Sequence, residues 1–554
     1  MRDVPPGHQR RQIHGWSIRW DDALASESYE GGWWRDETLG DLAGRLAATE
    51  PERLLIVDGV RRLDAQTLYR EARSLARAFQ DRGYQAGTVV SFMLPNWHEA
   101  GVIYLAATLT GLVVHPLVPA YREAEVAFML RDSGSRILFI PREFRGTDYV
   151  AIARGAIGDF ENPPELVTVR GESEDATSYQ ALIESEPAAS LPRVDPNSVK
   201  MLLYTSGTTG RPKGVLHSHN SLCATITQLH RYWQASAGDV FFVPSPVGHI
   251  GGSLYAFDFP VQYRTVAVLQ DVWDAKQAVS AIDREGCTHV SAATPFLHQI
   301  LAVAREQQTS LPSLRFFLCG GASVPPSLIR EASDYFRSCI VTRAYGLTEV
   351  PTITIGSVNP GDVSRAAETD GQIGIAEVKL VDAAGRAVAD EGEVVSRGPQ
   401  MLVGYLRQED EAESYDPDGF FRTGDIAQRV DGNFLRVSGR RKDIIIRQGE
   451  NISPKEVEDL LVLHPQIAEV AIVGLPSPRT GELACAVIVP HEGMTPDLEA
   501  LRAFLMSHRV AKFKIPERVV LRDALPRNAA GKVLKTQLRA DLIAEVAGPH
   551  AASA

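Results

Sequence analysis

The chain has 554 residues, 44% hydrophobic and 23% charged, which is enough apolar material for a large core spread over about three or four compact units. Lys and Arg number 57 against 69 Asp and Glu, a net charge of −12. That balance argues against non-specific nucleic-acid binding but not against a small anion held by a few local cations. Five cysteines without a CxxC pair read as reduced thiols of a cytoplasmic protein. The opening MRDVPPGHQRRQ is polar and has no apolar leader after it.

The predicted elements alternate. Leu54–Val57 reads as a strand. Asp64 then reads as the N-cap of a helix whose apolar face is Leu68, Ala72, Leu75, Ala76 and Phe79, ending before Gly83. Val89–Leu94 follows as a strand, 98–110 as a helix, and Leu112–Val114 and Ile137–Ile140 as strands. The stretch Ala100–Tyr121 carries no Asp, Glu, Lys or Arg, but Gly111, His115, Pro116 and Pro119 interrupt it. It is therefore expected to be a buried helix and strand, with no membrane span. Further strands are predicted at Met201–Tyr204, Val240–Val243, Val266–Leu269, Thr288–Ser291 and Phe316–Leu318, and helices near 274–284, 296–305 and 326–337. This alternation predicts parallel α/β sheets covered on both faces.

Beyond about 370, turns at Asp382–Gly385, Asp418–Gly419 and Asp431–Gly432 predict a small antiparallel β unit. After 443, Ser453 is placed to cap a helix from Pro454 to about Leu463. Strands at Ala468–Val473, Leu483–Val489 and Arg518–Leu521 and a helix at 497–508 complete a compact α+β unit. The join is the polar stretch Ser438-Gly-Arg-Arg-Lys-Asp443, and only the Ala-rich tail reads as disordered.

The sharpest motif is Tyr204-Thr-Ser-Gly-Thr-Thr-Gly-Arg-Pro-Lys-Gly214, directly after an apolar strand. Small hydroxyl residues and glycines let backbone amides surround phosphate oxygens, and Lys213 adds charge. The spacing is not that of a Walker A loop. The string resembles the phosphate loop of the adenylate-forming superfamily of acyl-CoA synthetases, luciferases and peptide-synthetase adenylation domains. Further matches follow in the family's order: Gly320-Gly-Ala-Ser-Val-Pro325, Ala344-Tyr-Gly-Leu-Thr-Glu349, Arg422-Thr-Gly-Asp425, Gly439-Arg-Arg-Lys-Asp443 and Pro526-Arg-Asn-Ala-Ala-Gly-Lys532.

The resemblance implies a large domain, 1–441, of two doubly wound α/β sheets plus a β-barrel-like unit. A mobile α+β domain, 442–547, and a disordered tail, 548–554, complete it. It implies ATP, Mg²⁺ and coenzyme A as reactants and cofactors, and a small carboxylic acid as substrate. Thr205, Ser206, Gly207, Thr208, Thr209, Gly210 and Lys213 would hold the leaving pyrophosphate, with Thr208 counted as catalytic. Gly320, Gly321 and Ala322 would flank adenine, Tyr345 would stack on it beside Gly346, and Thr348 would contact phosphate. Glu349 would hold Mg²⁺, Asp425 the ribose, Arg440 the nucleotide, Lys442 the hinge and Lys532 the first half-reaction; Gly449 would make room for pantetheine.

His249, in Ser245-Pro-Val-Gly-His249-Ile-Gly-Gly252, stands at the family's gate to the acid. Amino-acid-activating relatives carry Asp after this gate; here Ile250 stands, and a buried ammonium without a partner is costly. The remaining pocket candidates, Phe296, Cys319, Ala344, Val350 and Pro351, are small or apolar. A hydrophobic or alicyclic acid is expected, and Leu269-Gln-Asp-Val-Trp-Asp274 resembles the cyclohexanecarboxylate–CoA ligase branch. Chain end near 554 and an Ala552-Ser-Ala554 terminus favour CoA over a tethered carrier, with Lys512, Lys514 and Arg479 as candidate phosphate contacts. Gln448, Asn528 and Ala530 depart from the family pattern. Two alternatives stay open: an enzyme that only thioesterifies a preformed acyl-adenylate, and a non-catalytic nucleotide-binding module. The oligomeric state, a homodimer included, is also open.

Overall fold

The structure is a computed structural model. It describes residues 9–205, 211–321, 324–447, 450–477, 479–508, 510–527 and 532–547.

Two large sheets form the N-terminal body. The eight-stranded one runs Thr177–Ser178, Glu165–Val169, Ile137–Pro141, Val89–Phe92, Val113–Pro116, Val199–Thr205, Lys213–Ser218 and Gly404–Tyr405. Its first six strands are parallel and its last two antiparallel. The seven-stranded sheet runs Ile340–Arg343, Phe316–Cys319, His289–Ala292, Val240–Val243, Val266–Leu269, Leu54–Asp58 and Arg61–Asp64, parallel until its closing hairpin. The parallel strands read as unbroken apolar runs because both faces are covered.

The charge-poor stretch becomes helix His98–Thr110, buried almost throughout, and strand Val113–Pro116. Gly111 closes the helix at φ 70°, a left-handed conformation that glycine adopts at little cost. One core contains Leu55 and Ile56 of one sheet, Val90 and Phe92 of the other, and Ile103 of this helix. Among the described residues no helix is long and apolar enough to cross a membrane. Asp64 caps helix Ala65–Asp81 by accepting from Thr67 N at 2.7 Å.

The small β unit is a five-stranded antiparallel sheet, whose long members are Glu391–Arg397, Phe421–Val430 and Phe434–Arg440. From Ile445 onward the chain builds its own cores around Ile472, Ala486 and Leu505 on one side and Val473, Val487 and Leu538 on the other. Ser453 caps helix Pro454–Leu461 there.

The structure adds elements that the sequence did not announce. Gln9–Ile13 and Trp16–Trp20 form a hairpin, and Lys213–Ser218 leads into helix His219–Trp233. The first strand is polar; the second alternates apolar and polar residues and buries Ile18 and Trp20. Distant contacts fasten the hairpin: Arg19 N donates to Val403 O at 2.7 Å, and Arg10 pairs with Glu411 at 2.8 Å.

Candidate active site

The antiparallel register of Phe421–Val430 and Phe434–Arg440 sets Asp425 opposite Arg440, and the guanidinium Nε lies 3.3 Å from the carboxylate. Asp425 is buried, and its other oxygen accepts from Tyr345 OH at 2.7 Å. Burial first, then Asp425, pushes the Tyr345 phenol up, so it remains a donor. The Ala344–Glu349 loop is pinned from behind: Tyr345 N donates to Thr354 Oγ1 at 2.7 Å, and Thr354 N to Tyr345 O at 3.0 Å. Gly346 has no substitute in this packing, because a Cβ there would lie 2.4 Å from Thr352 N.

Glu349 ends this loop. Its Oε1 accepts from Tyr405 OH at 3.1 Å and from Thr205 Oγ1 at 3.4 Å. Burial raises its carboxyl above the ordinary range. Among the described residues no Lys or Arg nitrogen lies within 4.0 Å of it, so this buried carboxylate suits a bound cation. Thr205 pairs with Lys213 across the hairpin that carries the phosphate motif. Ser206, Gly207, Thr208, Thr209 and Gly210 lie outside the described residues, as do Ala322, Gln448, Gly449, Asn528 and Ala530. Lys213 Nζ donates to Asp410 O at 3.3 Å and stands 5.3 Å from the centre of the Tyr405 ring. Arg211 binds the Asp410 carboxylate at 2.8 Å.

Thr348 contributes its carbonyl inward, accepting from His217 Nε2 at 2.7 Å. Burial lowers His217 to about 4, so the ring is neutral, and the carbonyl requires its proton on Nε2. Sequence reasoning missed Tyr405, Asp410 and His217. Their local sequence offers no signal, since Tyr405 reaches Glu349 only because Gly404–Tyr405 adds as an edge strand beside Val215 and Leu216.

Lys532 arrives from the C-terminal unit on a segment closed by the bond from Leu534 N to Pro526 O, 2.8 Å. It lies within electrostatic range of Arg440, Asp425, Asp443 and Lys442. Its ammonium is lowered to about 8, first by desolvation and then by Arg440. The residue as a whole is exposed, so the crowding is that around its charged end. Lys442, in the turn Arg441–Asp443, is lowered by the same two causes. The C-terminal unit thus presents Lys532 to the Asp425–Arg440 side. Of the proposed CoA contacts, Lys514 is paired with Glu456 at 2.7 Å and Arg479 with Glu517 at 3.3 Å.

The candidates for the acid are built differently. His249 caps helix Ile250–Ser253 without a side-chain bond. Its Nε2 is buried and has no hydrogen-bond partner among the described residues, and burial lowers the ring to about 4. Ile250 is half-buried on the main core. Phe296 is half-buried and meets Trp273 edge-on with centroids 4.5 Å apart. Cys319 is fully buried in the core, its thiol pushed up to about 12, so it is inert rather than a nucleophile. Ala344 N donates to Cys319 O at 3.1 Å, and Gly320 N to Ala292 O at 3.2 Å, which places these strand ends side by side; Gly321 follows with φ 78°. Val350 is fully buried with Val215 and Leu402, and Pro351 is buried beside it, so both brace the loop from behind.

The AMP-binding enzyme family matches residues 45–406, and the AMP-binding enzyme C-terminal domain matches residues 456–532. The chain is 34% identical to the medium-chain fatty-acid–CoA ligase of Escherichia coli, over 92% of each chain. It is 32% identical to the indoleacetate–CoA ligase of Aromatoleum aromaticum, over 90% of this chain and 97% of that one. The ATP-bound structure of MatB from Rhodopseudomonas palustris superimposes with a TM-score of 0.80 at 27% identity, covering 92% of this chain and 99% of the other.

Proposed function

The chain belongs to the AMP-binding enzymes, and from that premise we propose that it is an AMP-forming acid–CoA ligase for a hydrophobic or alicyclic carboxylic acid. The observation that carries the reading is the convergence of Asp425, Tyr345 and Arg440 with Lys532, two residues from one hairpin and one from a loop meeting a lysine from another unit.

A carboxylate and ATP are both anions, so cations must stand between them. Lys532 bridges the acid's oxygen and the α-phosphate while the carboxylate bonds to phosphorus and the bond to pyrophosphate breaks. Asp425 takes the ribose hydroxyls, and Lys213 and the loop from Thr205 hold pyrophosphate. Glu349, with Thr205 beside it, would hold Mg²⁺, which supplies charge neutralisation at the leaving phosphates. In the second step the CoA thiolate bonds to the acyl carbon and AMP leaves. Lys442 serves as the pivot about which the 442–547 unit turns between the steps, bringing Gly449 to the pantetheine arm.

Ile250, Phe296 and the inert Cys319 support an uncharged acyl group, and the neutral, unpartnered His249 supports a donor to the acid's carboxylate. The similarity to ligases for medium-chain fatty acids and for indoleacetate supports the same class. The test is a panel of octanoate, cyclohexanecarboxylate, benzoate, indoleacetate and several amino acids with ATP, Mg²⁺ and CoA. Pyrophosphate release is followed and thioesters are identified by mass. The expected result is thioester from an apolar acid. Preference for amino acids rejects the pocket reading; thioester only from supplied acyl-adenylate supports the partial-reaction alternative. Nucleotide binding without turnover supports a binding module.

A further inference from the structure

The loop that carries His249 has little of its own to hold it. It runs from strand Val240–Val243 to helix Ile250–Ser253 and contains Pro244 and Pro246, which lack an N–H. Its internal bonds are His249 N to Pro246 O at 3.0 Å and Ser253 Oγ to Val247 O at 2.5 Å. Ser253 N also donates to His249 O at 3.0 Å, and a long bond from Ser245 Oγ to Ser291 O, 3.5 Å, ties the loop to its own sheet. Three further bonds come from the other sheet. Asn96 follows strand Val89–Phe92 and is buried. Its Nδ2 donates to Val243 O at 3.1 Å and to Ser245 O at 3.0 Å, and its Oδ1 accepts from Val247 N at 2.9 Å. Two carbonyls and one N–H fix which way this amide faces.

The segment bearing Asn96 is itself fastened to both sheets. Trp97 Nε1 donates to Asp271 at 3.1 Å, and Arg170 stacks on the Trp97 ring at 4.1 Å while binding Glu99 and Asp58. Asp58, His98 and Glu99 are close enough to hold a metal, but the Arg170 guanidinium already joins them. On its other side the loop is locked by close approach, since a Cβ on Gly252 would lie 2.0 Å from Pro246 O. A buried amide whose bonds all go to one loop backbone fixes that loop's path.

We propose that Asn96 is a positioning residue for acid recognition: its three hydrogen bonds across the two sheets hold the His249 ring where the acid's carboxylate arrives. This rests on the reading of His249 given above. A purely structural Asn96 would weaken both substrates alike, whereas a clamp on His249 weakens only the acid and only while His249 is present.

The experiment compares wild type, Asn96→Ala, His249→Ala and the double variant. KM for octanoate (or the acid that replaces it from the panel) and KM for ATP are read by pyrophosphate release. Asn96→Ala is expected to raise KM for the acid about tenfold, with KM for ATP within about twofold. The double variant is expected to be no worse than His249→Ala by more than about twofold. Equal rises for acid and ATP, or losses that multiply in the double variant, overturn the proposal while the gate stands. If His249→Ala leaves KM for the acid unchanged, the gate reading falls and the clamp with it. Should Asn96→Ala fail to fold by circular dichroism, Asn96→Ser, which keeps one hydroxyl, is held to the same criteria.

Discussion

The groups proposed to meet the nucleotide and those proposed to meet the acid are opposite solutions. Among the proposed nucleotide residues, charged and phenolic groups bind one another: Tyr345 to Asp425, Arg440 to Asp425, Tyr405 to Glu349. In the proposed acid pocket, His249 Nε2 has no hydrogen-bond partner among the described residues, and the other candidates, Ile250 and Phe296, are apolar. A polyanion can be met by a prebuilt set of polar groups that it joins or displaces. The hydrophobic acid proposed above offers one carboxylate, so shape and the one donor proposed for it, His249, would do the recognising.

The largest expected effect breaks the link between the two sides. Lys532→Ala should lower acyl-adenylate formation on the order of 10²–10⁴-fold, because the transition state loses its bridging charge. Thioester formation from supplied acyl-adenylate should persist, as stopped-flow assays of each half-reaction would show; equal losses in both reject the assignment. Next comes Asp425→Ala, which leaves Tyr345 and Arg440 without their shared acceptor. A hydrogen bond to a charged group is worth about 1.5–3 kcal/mol, so KM for ATP should rise roughly 10- to 150-fold with KM for the acid little changed. Isothermal titration with a non-hydrolysable ATP analogue checks this directly.

Acidity sharpens the comparison further. Lys532 is lowered to about 8 from its ordinary value, so the charged form that adenylation needs is depleted as pH rises through about 8. The kcat/KM for the acid in pyrophosphate release should fall by about tenfold per unit above that point. Lys532→Arg should abolish that limb, since a guanidinium stays charged. A profile flat to pH 10 in the wild type counts against the role. On the acid side, Ile250→Asp introduces a carboxylate into an apolar wall. It should cost hydrophobic acids about tenfold or more in kcat/KM while leaving KM for ATP unchanged, measured across the same panel. The smallest effect is Tyr405→Phe, which removes one neutral donor to Glu349. About 0.5–1.5 kcal/mol translates to a few- to about tenfold higher Mg²⁺ requirement, read from a metal titration of pyrophosphate release.

Much of this was legible in the chain. Apolar runs such as Val240–Val243 and Val266–Leu269 became the expected parallel strands, and Asp64 and Ser453 cap the helices assigned to them. Turn chemistry at Asp431–Gly432 foretold the hairpin that sets Asp425 against Arg440. Pocket assignments were less readable. Val350 and Pro351 are apolar and adjacent to the loop, but composition cannot say which face a residue presents, and both turn inward.

The sequence by itself determined the order of the motifs, the local caps and turns, and the chemistry of the groups proposed to meet ATP, because those depend on residues a few positions apart. Tertiary structure decided the supports. Tyr405 reaches Glu349 across 56 residues, His217 reaches Thr348 across 131, and Asn96 reaches Val247 across 151. Each is a single hydrogen-bonding side chain with no periodicity or spacing to mark it. Its partner is a backbone or carboxylate atom brought near only when the two sheets and the β unit pack together.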